Sequence, residues 1–354
     1  MKVIHLIPQD GLGGVEQAAR SLNPSSELDI HIAFIRGSSL RKDSIFKEIS
    51  GPKVNLNSLM FYINGLKYLV KEKPDLLISS LWRSSIIGIA YNIYSRAFTK
   101  NDSKFVLFLH VNKFGHIFDQ IFTTIAMYLA DEVWCDSKAT QLAMLKKEKL
   151  AKKSKVISFL VHARAEEVIE EKRKNNFVFW GRIAKQKRVD KAIKLFSIIS
   201  RNNPSSLFYI YGPDGGELNN LKTLVKELEL EKKVLFMGKK EPGHYPEPIT
   251  SSKFFINTSS HEGMAIAVTE AMQLGLIPIV TPVGEVANYC MDNENSIYYT
   301  DESSTAKRII KLLSNEHHQK TLSRNAVQYW SNKNSYSQDF IASCQGILRS
   351  IKLN

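Results

Sequence analysis

Phe177-Val178-Phe179-Trp180-Gly181-Arg182-Ile183-Ala184-Lys185-Gln186-Lys187-Arg188-Val189 reads as a buried strand, a glycine turn and the entry to a helix. Its apolar start has no polar break, the pattern of a parallel strand covered on both faces. Arg182, Lys185, Lys187 and Arg188 then come between the glycine and the helix that opens at Val189. A run of charge is usually a solvated face. Here it falls at the carboxyl end of a strand, where open α/β sheets bind ligands, and so predicts an anionic ligand. Arginine suits a bidentate grip on phosphate, and lysine acts as a point charge.

Downstream, strand-like runs recur at Leu207–Tyr211, Val234–Met237, Phe254–Asn257, Ile277–Val280 and Ser296–Tyr299. Upstream they lie at Lys2–Pro8, Leu28–Ile35, Lys53–Leu56, Asp75–Leu81, Phe105–His110, Glu132–Asp136 and Val156–Val161. Helical segments alternate with them, among them Leu59–Glu72, Ser84–Phe98, Ile117–Ala130 and Ala139–Lys147. Strict alternation argues for βα units on parallel sheets. A charged stretch over 162–176 separates the two series and is expected to be the linker. We expect an α/β chain with one Rossmann-like domain over residues 1–163 and another over 164–335. The segment 336–354 carries apolar residues on one helical face (Tyr336, Phe340, Ile341, Cys344, Ile347, Leu348 and Ile351) and is expected to return to the first domain.

A length of 354 residues exceeds one ordinary core, and the 44% hydrophobic and 23% charged composition is that of a globular chain. Cys135, Cys290 and Cys344 lie far apart, which argues against a disulfide framework and a cysteine zinc site. No apolar run is long enough to span a membrane, and Met1 to Pro8 reads as a first strand, not a leader. A reducing, cytoplasmic setting is expected. The net charge is +13, with 23 − 14 = +9 in residues 1–165 and 25 − 21 = +4 in the remainder. A basic first half would serve a nucleic acid, an anionic membrane or a polyanionic substrate.

Several stretches carry candidate chemistry. His261-Glu262-Gly263-Met264-Ala265-Ile266-Ala267-Val268-Thr269-Glu270-Ala271-Met272 is almost wholly apolar apart from its two glutamates, and a buried carboxylate asks for a partner. The plainer reading is a buried helix with a glutamate at its cap and another at a solvated end. Gly11-Leu12-Gly13-Gly14-Val15-Glu16 follows the first strand, and such a turn aims backbone N–H groups at an anion. It lacks the Gly-x-Gly-x-x-Gly spacing and the Walker lysine, so neither a dinucleotide fingerprint nor a P-loop is present. Tyr211-Gly212-Pro213-Asp214-Gly215-Gly216 is a second glycine-rich turn at a strand end. His110 ends the run Phe105-Val106-Leu107-Phe108-Leu109 and is either a site residue or a local cap. No Asp-x-Asp occurs in the chain, so a carboxylate-bound metal is not expected.

Residues 60–70 and 114–129 are unusually aromatic and apolar for surface helices. Lys67, Lys71, Lys73, Arg83, Arg96, Lys100 and Lys113 lie in or near them. They read either as helices covering a parallel sheet or as contacts with a membrane surface.

Gly13-Gly14 after the first strand, Gly181-Arg182 with Lys187, and Glu262-Gly263 with Glu270 together resemble the family-four retaining glycosyltransferases of the GT-B fold. The resemblance covers most of residues 1–340 and is strongest from Phe177 to Glu285. It implies two doubly wound domains facing a central cleft, with the C-terminal helix crossing back to the first. It also implies roles. Arg182 and Lys187 would stabilise the leaving diphosphate of a nucleotide-sugar, UDP- or GDP-linked, with no metal or other cofactor. Glu262 would hold donor-sugar hydroxyls, with the backbone of Gly263, Met264 and Ala265 beside sugar and phosphate. Glu270 would hold the ribose, and Gly13, Gly14 and Gly212 would line the donor. His110 matches a histidine near the donor sugar. The sequence departs from the family pattern at Met264-Ala265, where Phe-Gly is common, and at Phe159-Leu160-Val161-His162, where Asn-Gly-Val-Asp is common. It departs again at Arg188, where glycine is common, which predicts an extra cation on the phosphate loop.

The expected activity is transfer of a hexose to a lipid-linked or lipopolysaccharide-type glycan at the inner face of the cytoplasmic membrane, as in bacterial surface-polysaccharide synthesis, with no nucleic-acid partner. Two alternatives stay open. A nucleotide-sugar epimerase on the same fold would release free epimerised sugar. A non-catalytic basic protein would bind membrane or nucleic acid with a steep salt dependence.

Overall fold

A computed structural model describes residues 1–11, 13–23, 28–37, 45–99, 103–161 and 173–353. The chain forms two compact units, Met1–Val161 with Asn334–Asn354, and His162–Lys333. Most of the charged stretch expected as a linker, and the expected boundary at 163/164, fall on residues 162–172, outside the described residues.

The first unit is a parallel sheet of seven strands: β1 (Lys2–Gln9), β2 (Asp29–Arg36), β3 (Phe46–Ser50), β4 (Leu76–Ser80), β5 (Lys104–Leu109), β6 (Glu132–Cys135) and β7 (Ser154–Val156). Their spatial order is β3-β2-β1-β4-β5-β6-β7. Burial on both faces explains why β1 is nearly all apolar: Val3, Ile4, Leu6 and Ile7 are fully buried. His5 is fully buried among them and needs polar company. Two expected strands move. Residues 53–56 form turns, and the edge strand is Phe46–Ser50 instead. It stops at Gly51-Pro52, where proline has no N–H for a ladder. The run 156–161 leaves the sheet after Val156. Ser158 N–H donates to Asp339 (2.9 Å), and Leu160 C=O accepts from Tyr336 N–H (2.8 Å), so this backbone bonds to the C-terminal segment.

That segment is the helix Tyr336–Leu353. Tyr336, Phe340, Cys344, Ile347 and Leu348 are buried on one face. Tyr336 stacks on Phe108 (centroids 6.4 Å, 10° apart), and Phe340 meets Trp134 edge-on at 5.6 Å. Burying each large aromatic contributes about 2–3 kcal/mol.

The second unit is a parallel sheet of six strands: β8 (Lys174–Trp180), β9 (Phe208–Tyr211), β10 (Val234–Gly238), β11 (Ser252–Asn257), β12 (Ile277–Val280) and β13 (Ile297–Tyr298). The order β10-β9-β8-β11-β12-β13 puts β8 where the winding reverses, as β1 is in the first sheet. Loops leaving the carboxyl ends of such strands bind ligands in doubly wound folds. Both units therefore have Rossmann-like α/β architecture.

Candidate functional site

The loop after β8 is set by glycines. Gly181 (φ +150°) and Gly212 (φ +153°) lie back to back, and a Cβ on Gly212 would sit 1.7 Å from the Gly181 carbonyl oxygen. The Ile183 and Gly215 backbones then join through a 2.8 Å bond, so the turns after β8 and β9 run side by side. Asp214 accepts backbone N–H bonds from Gly216, Glu217 and Leu218, and these hold its carboxyl below the usual range.

Beyond Gly181 the cation loop is laced to the loop after β11. Ser260 N–H donates to Gln186 C=O (2.9 Å), the Gln186 side chain donates to His261 C=O (2.7 Å), and Thr258 Oγ1 donates to Arg188 C=O (2.8 Å). The fourth link is ionic: Lys187 Nζ lies 2.6 Å from Glu262 Oε1. Glu262 is buried, and Asn257 Nδ2 (3.3 Å) and Ser259 Oγ (2.5 Å) also reach that oxygen. The carboxylate thus has the partners its burial demands.

The four cations differ. Arg182 is exposed, and no ion pair holds it among the described residues. Arg188 is tied bidentately to Asp190 (both contacts 3.0 Å), which raises the arginine's pKa. The extra phosphate-loop cation expected at Arg188 therefore has its charge offset by a carboxylate on the following helix. Lys185 is exposed.

The stretch around Glu262 and Glu270 is divided by backbone geometry. Ala265 (φ +54°) caps the helix Ile266–Gln273, which leaves Glu262, Gly263 and Met264 in the preceding loop. Gly284 braces that loop: its φ is +59°, and a Cβ there would lie 1.9 Å from the Glu262 carbonyl oxygen. Tyr289 Oη donates to Met264 C=O at 2.8 Å, and Glu285 N–H to Gly263 C=O at 3.1 Å. Within the helix Glu270 is buried, and Oε2 accepts the indole N–H of Trp180 at 2.7 Å. Trp180 ends β8 and packs on Phe255 (4.4 Å) and Tyr245 (5.9 Å), with Lys240 over Tyr245 at 4.2 Å.

Trp180 and Asn257 end strands and Ser259 lies just past one, and none of the three carries a sequence signal of the carboxylate it touches in the fold.

In the first unit, Gly13 caps the short helix Gly14–Arg20 in extended conformation. Glu16 folds back over the turn: a Cβ on Gly13 would lie 2.5 Å from its Oε2, and one on Gly11 would lie 3.0 Å from Oε1. Burial raises the Glu16 pKa, opposed by the backbone N–H groups of Glu16 and Gly13. Part of the turn's donor capacity thus serves its own chain, in the manner of a capping box. The glutamate three places after the cap is the sequence signal of this arrangement.

His110 follows β5 directly. Its Nε2 lies 2.8 Å from Ser80 Oγ, whose other neighbour is His5 Nε2 at 2.7 Å. His110 Nδ1 is 3.9 Å from Asp136 Oδ2. Burial holds both histidines below the usual range, His5 at about 3, and for His110 the nearby His5 adds to the effect. Both are neutral at pH 7.

Residues 163–329 match the family model described as "Glycosyl transferases group 1". A mannosylfructose-phosphate synthase of Agrobacterium fabrum is 32% identical over 110 residues, 28% of this chain and 24% of that protein. A UDP-Gal:α-D-GlcNAc-diphosphoundecaprenol α-1,3-galactosyltransferase of Escherichia coli is 33% identical over 124 residues, 34% of this chain and 31% of the relative. The chain thus spans about a quarter to a third of the length of these curated relatives. The structure of Anabaena HepE in complex with UDP-glucose superposes with a TM-score of 0.77 at 17% identity, covering 99% of this chain and 100% of that one. The two parallel-sheet units with their C-terminal helix have the GT-B fold, and the family match lies on the second of them.

Proposed function

We propose that this chain is a retaining, metal-independent glycosyltransferase that takes a hexose from a UDP- or GDP-linked donor. The observation that carries the reading is the lacing of Lys187 to Glu262 in the loop after β8, the same loop that carries Arg182, exposed and in no ion pair among the described residues. A fixed cation against a carboxylate can meet a diphosphate and a sugar hydroxyl at neighbouring positions. Breaking the bond from the anomeric carbon to phosphate builds charge on the leaving diphosphate. Arg182 and Lys187 stabilise it there without moving. Glu262 accepts hydrogen bonds from donor-sugar hydroxyls, with the backbone of Gly263, Met264 and Ala265 alongside. Glu270, held by Trp180, accepts from the ribose. Gly212 is proposed as a further donor contact in the second unit, and the resemblance assigns a donor contact to Gly13, Gly14 and His110 of the first. The acceptor hydroxyl attacks from the face the phosphate leaves, and the departing phosphate oxygen takes its proton. No protein nucleophile is assigned, so the paired-carboxylate scheme of glycoside hydrolysis does not apply. The UDP-glucose named with the HepE structure and the UDP-Gal in the E. coli relative's name support a uridine donor.

The proposed acceptor is a lipid-linked or lipopolysaccharide-type glycan, met by peripheral docking on an anionic membrane. The helix Ile117–Leu129 exposes Ile117, Phe118, Ile121, Ile125 and Tyr128, spaced as one face, and Lys147 lies over the Tyr128 ring at 5.4 Å. The helix Leu59–Glu72, the other aromatic segment, turns Phe61 and Leu69 into the core. No helix among the described residues is long and apolar enough to cross a membrane.

Incubation with UDP- and GDP-hexoses, an acceptor glycan and EDTA, followed by NMR of the products, tests the reaction. An α-configured transfer product from an α-linked donor is expected. Free epimerised sugar would favour the epimerase instead, and activity that returns only with Mn²⁺ would refute metal independence. Flotation with anionic vesicles at low salt tests docking, and recovery in the unbound fraction would refute it.

A further inference from the structure

The pair of buried histidines joined through Ser80 is not explained by packing alone. His5 sits mid-strand in β1, Ser80 ends β4, and His110 follows β5, three neighbouring strands of one sheet. Phe108 and Phe340 close over His5 (6.3 and 5.5 Å), and Phe108 and Phe159 over His110 (4.2 and 5.4 Å). Among the described residues, Nδ1 of each histidine is buried without a hydrogen-bond partner. Directly after Ser80 the backbone turns through Leu81 at φ +70° and ψ 149°, a combination almost confined to glycine.

The hydroxyl decides the tautomers. Ser80 has one proton to donate and lies within 2.8 Å of two Nε2 atoms, so one histidine must donate to it and the other accept from it. If His110 donated, its bare Nδ1 lone pair would face the Asp136 carboxylate, and His5 would bury an Nδ1–H with no acceptor. Both features are unfavourable. In the opposite direction, His5 Nε2–H donates to Ser80, Ser80 donates to His110 Nε2, and His110 keeps its proton on Nδ1, toward Asp136 Oδ2 at 3.9 Å. That gap is too long for a hydrogen bond, so the Nδ1–H keeps its capacity to donate.

We propose that His5 and Ser80 are positioning residues that lock His110 as its Nδ1–H tautomer, so that it meets a ligand oxygen as a fixed neutral donor. The ligand part rests on the glycosyltransferase reading, in which that oxygen is a donor-sugar hydroxyl. The tautomer part does not. A protonated His110 would donate from Nε2 to Ser80, and Ser80 would then either accept from both histidines, leaving its own proton without an acceptor there, or donate to His5, burying an Nδ1–H on His5 with no acceptor. Either way one buried polar hydrogen is left unsatisfied, so the chain of three residues also disfavours the protonated form.

Nitrogen-15 NMR of the full-length, histidine-labelled protein reads the tautomers with no substrate present. His110, assigned by loss of its signal in His110→Gln, is expected to show a protonated-type Nδ1 and a bare-type Nε2, and His5 the reverse. An Nε2–H tautomer at His110 in the wild type would overturn the proposal, whatever the reaction proves to be. Ser80→Ala is expected to release the lock and average the two His110 nitrogens. It should lower kcat about tenfold with little change in KM, and Ser80→Thr should restore both signals and rate. Unaltered His110 shifts in a folded Ser80→Ala would equally overturn it. Absence of any transferase activity beside the expected shifts would sink the glycosyltransferase reading and leave the lock standing.

Discussion

Lys187 and Arg182 share a loop and a charge, and the structure gives them different burdens. Lys187 is part-buried against buried Glu262, so it serves the fold in addition to the ligand role proposed for it. Arg182 is exposed and has no ion pair among the described residues. Lys187→Ala should therefore cost about 2 kcal/mol of stability by leaving a buried carboxylate short of a partner. Arg182→Ala should stay within about 0.5 kcal/mol. On the proposed glycosyltransferase reading, both should lower transfer by about 100-fold or more, since each would remove a charge from the leaving group. Urea unfolding beside initial rates separates the two effects. Equal stability in the two variants would contradict the structural role of Lys187. These cations were legible because charge, glycine and strand periodicity all lie within one short stretch. Their partners were not. Glu262 leans on Asn257 and Ser259, and Glu270 on Trp180, and nothing in a strand-end Trp or Asn announces which carboxylate it will meet.

At the scale of the element, two departures from the family pattern fall on the same backbone feature. Arg188 and Ala265 stand where glycine is common in the resembling family, and both hold left-handed φ, +47° and +54°. A side chain in that region costs about 1–2 kcal/mol, against about 0.5–1 kcal/mol that glycine loses through unfolded-state entropy. Ala265→Gly is thus expected to stabilise the protein by about 0.5–1 kcal/mol in urea unfolding. A loss of stability would show that the alanine methyl packs better than its strain costs. Helix extents were largely readable from periodicity, for instance at Leu59–Glu72. The edge strand Phe46–Ser50 was not, because its pattern is weak and its place depends on pairing with β2. The exit of 157–160 from the sheet depends on Asp339 and Tyr336, which lie far along the chain.

For the whole molecule, the contiguous chain order does not match the compact units. The helix Tyr336–Leu353 belongs to the first unit and covers Phe108 and Trp134 there. A chain truncated after Lys333 should lose the first unit's thermal transition while the second unit's remains. Loss of both transitions would mean the second unit does not fold alone. The same helix buries His5, which supplies a pH signature. The His5 pKa falls from 6.5 to about 3 on folding, so the unfolded chain binds the extra proton first. Stability from this group is complete above about pH 6.5 and is lost between there and about pH 3, at up to about 1.4 kcal/mol per pH unit. Urea unfolding from pH 7.5 to 5 should show a steeper decline in the wild type than in His5→Gln, and parallel curves would refute the assignment. The apolar run of β1 made its burial legible, but the pairing of His5 with Ser80 spans 75 residues and exists only because β1 and β4 are neighbours.

The four links that lace the 186–188 backbone and side chains to residues 258–262 bear on how such a site can be re-engineered or can diverge. Each loop carries half of every link, so neither is an interchangeable part. Transplanting one loop from a homologue would replace one side of the stitching and leave the other without its match. The two loops act as one structural part, and on the proposed reading donor preference should change by exchange of both together, with Gly284 retained as the brace beneath them.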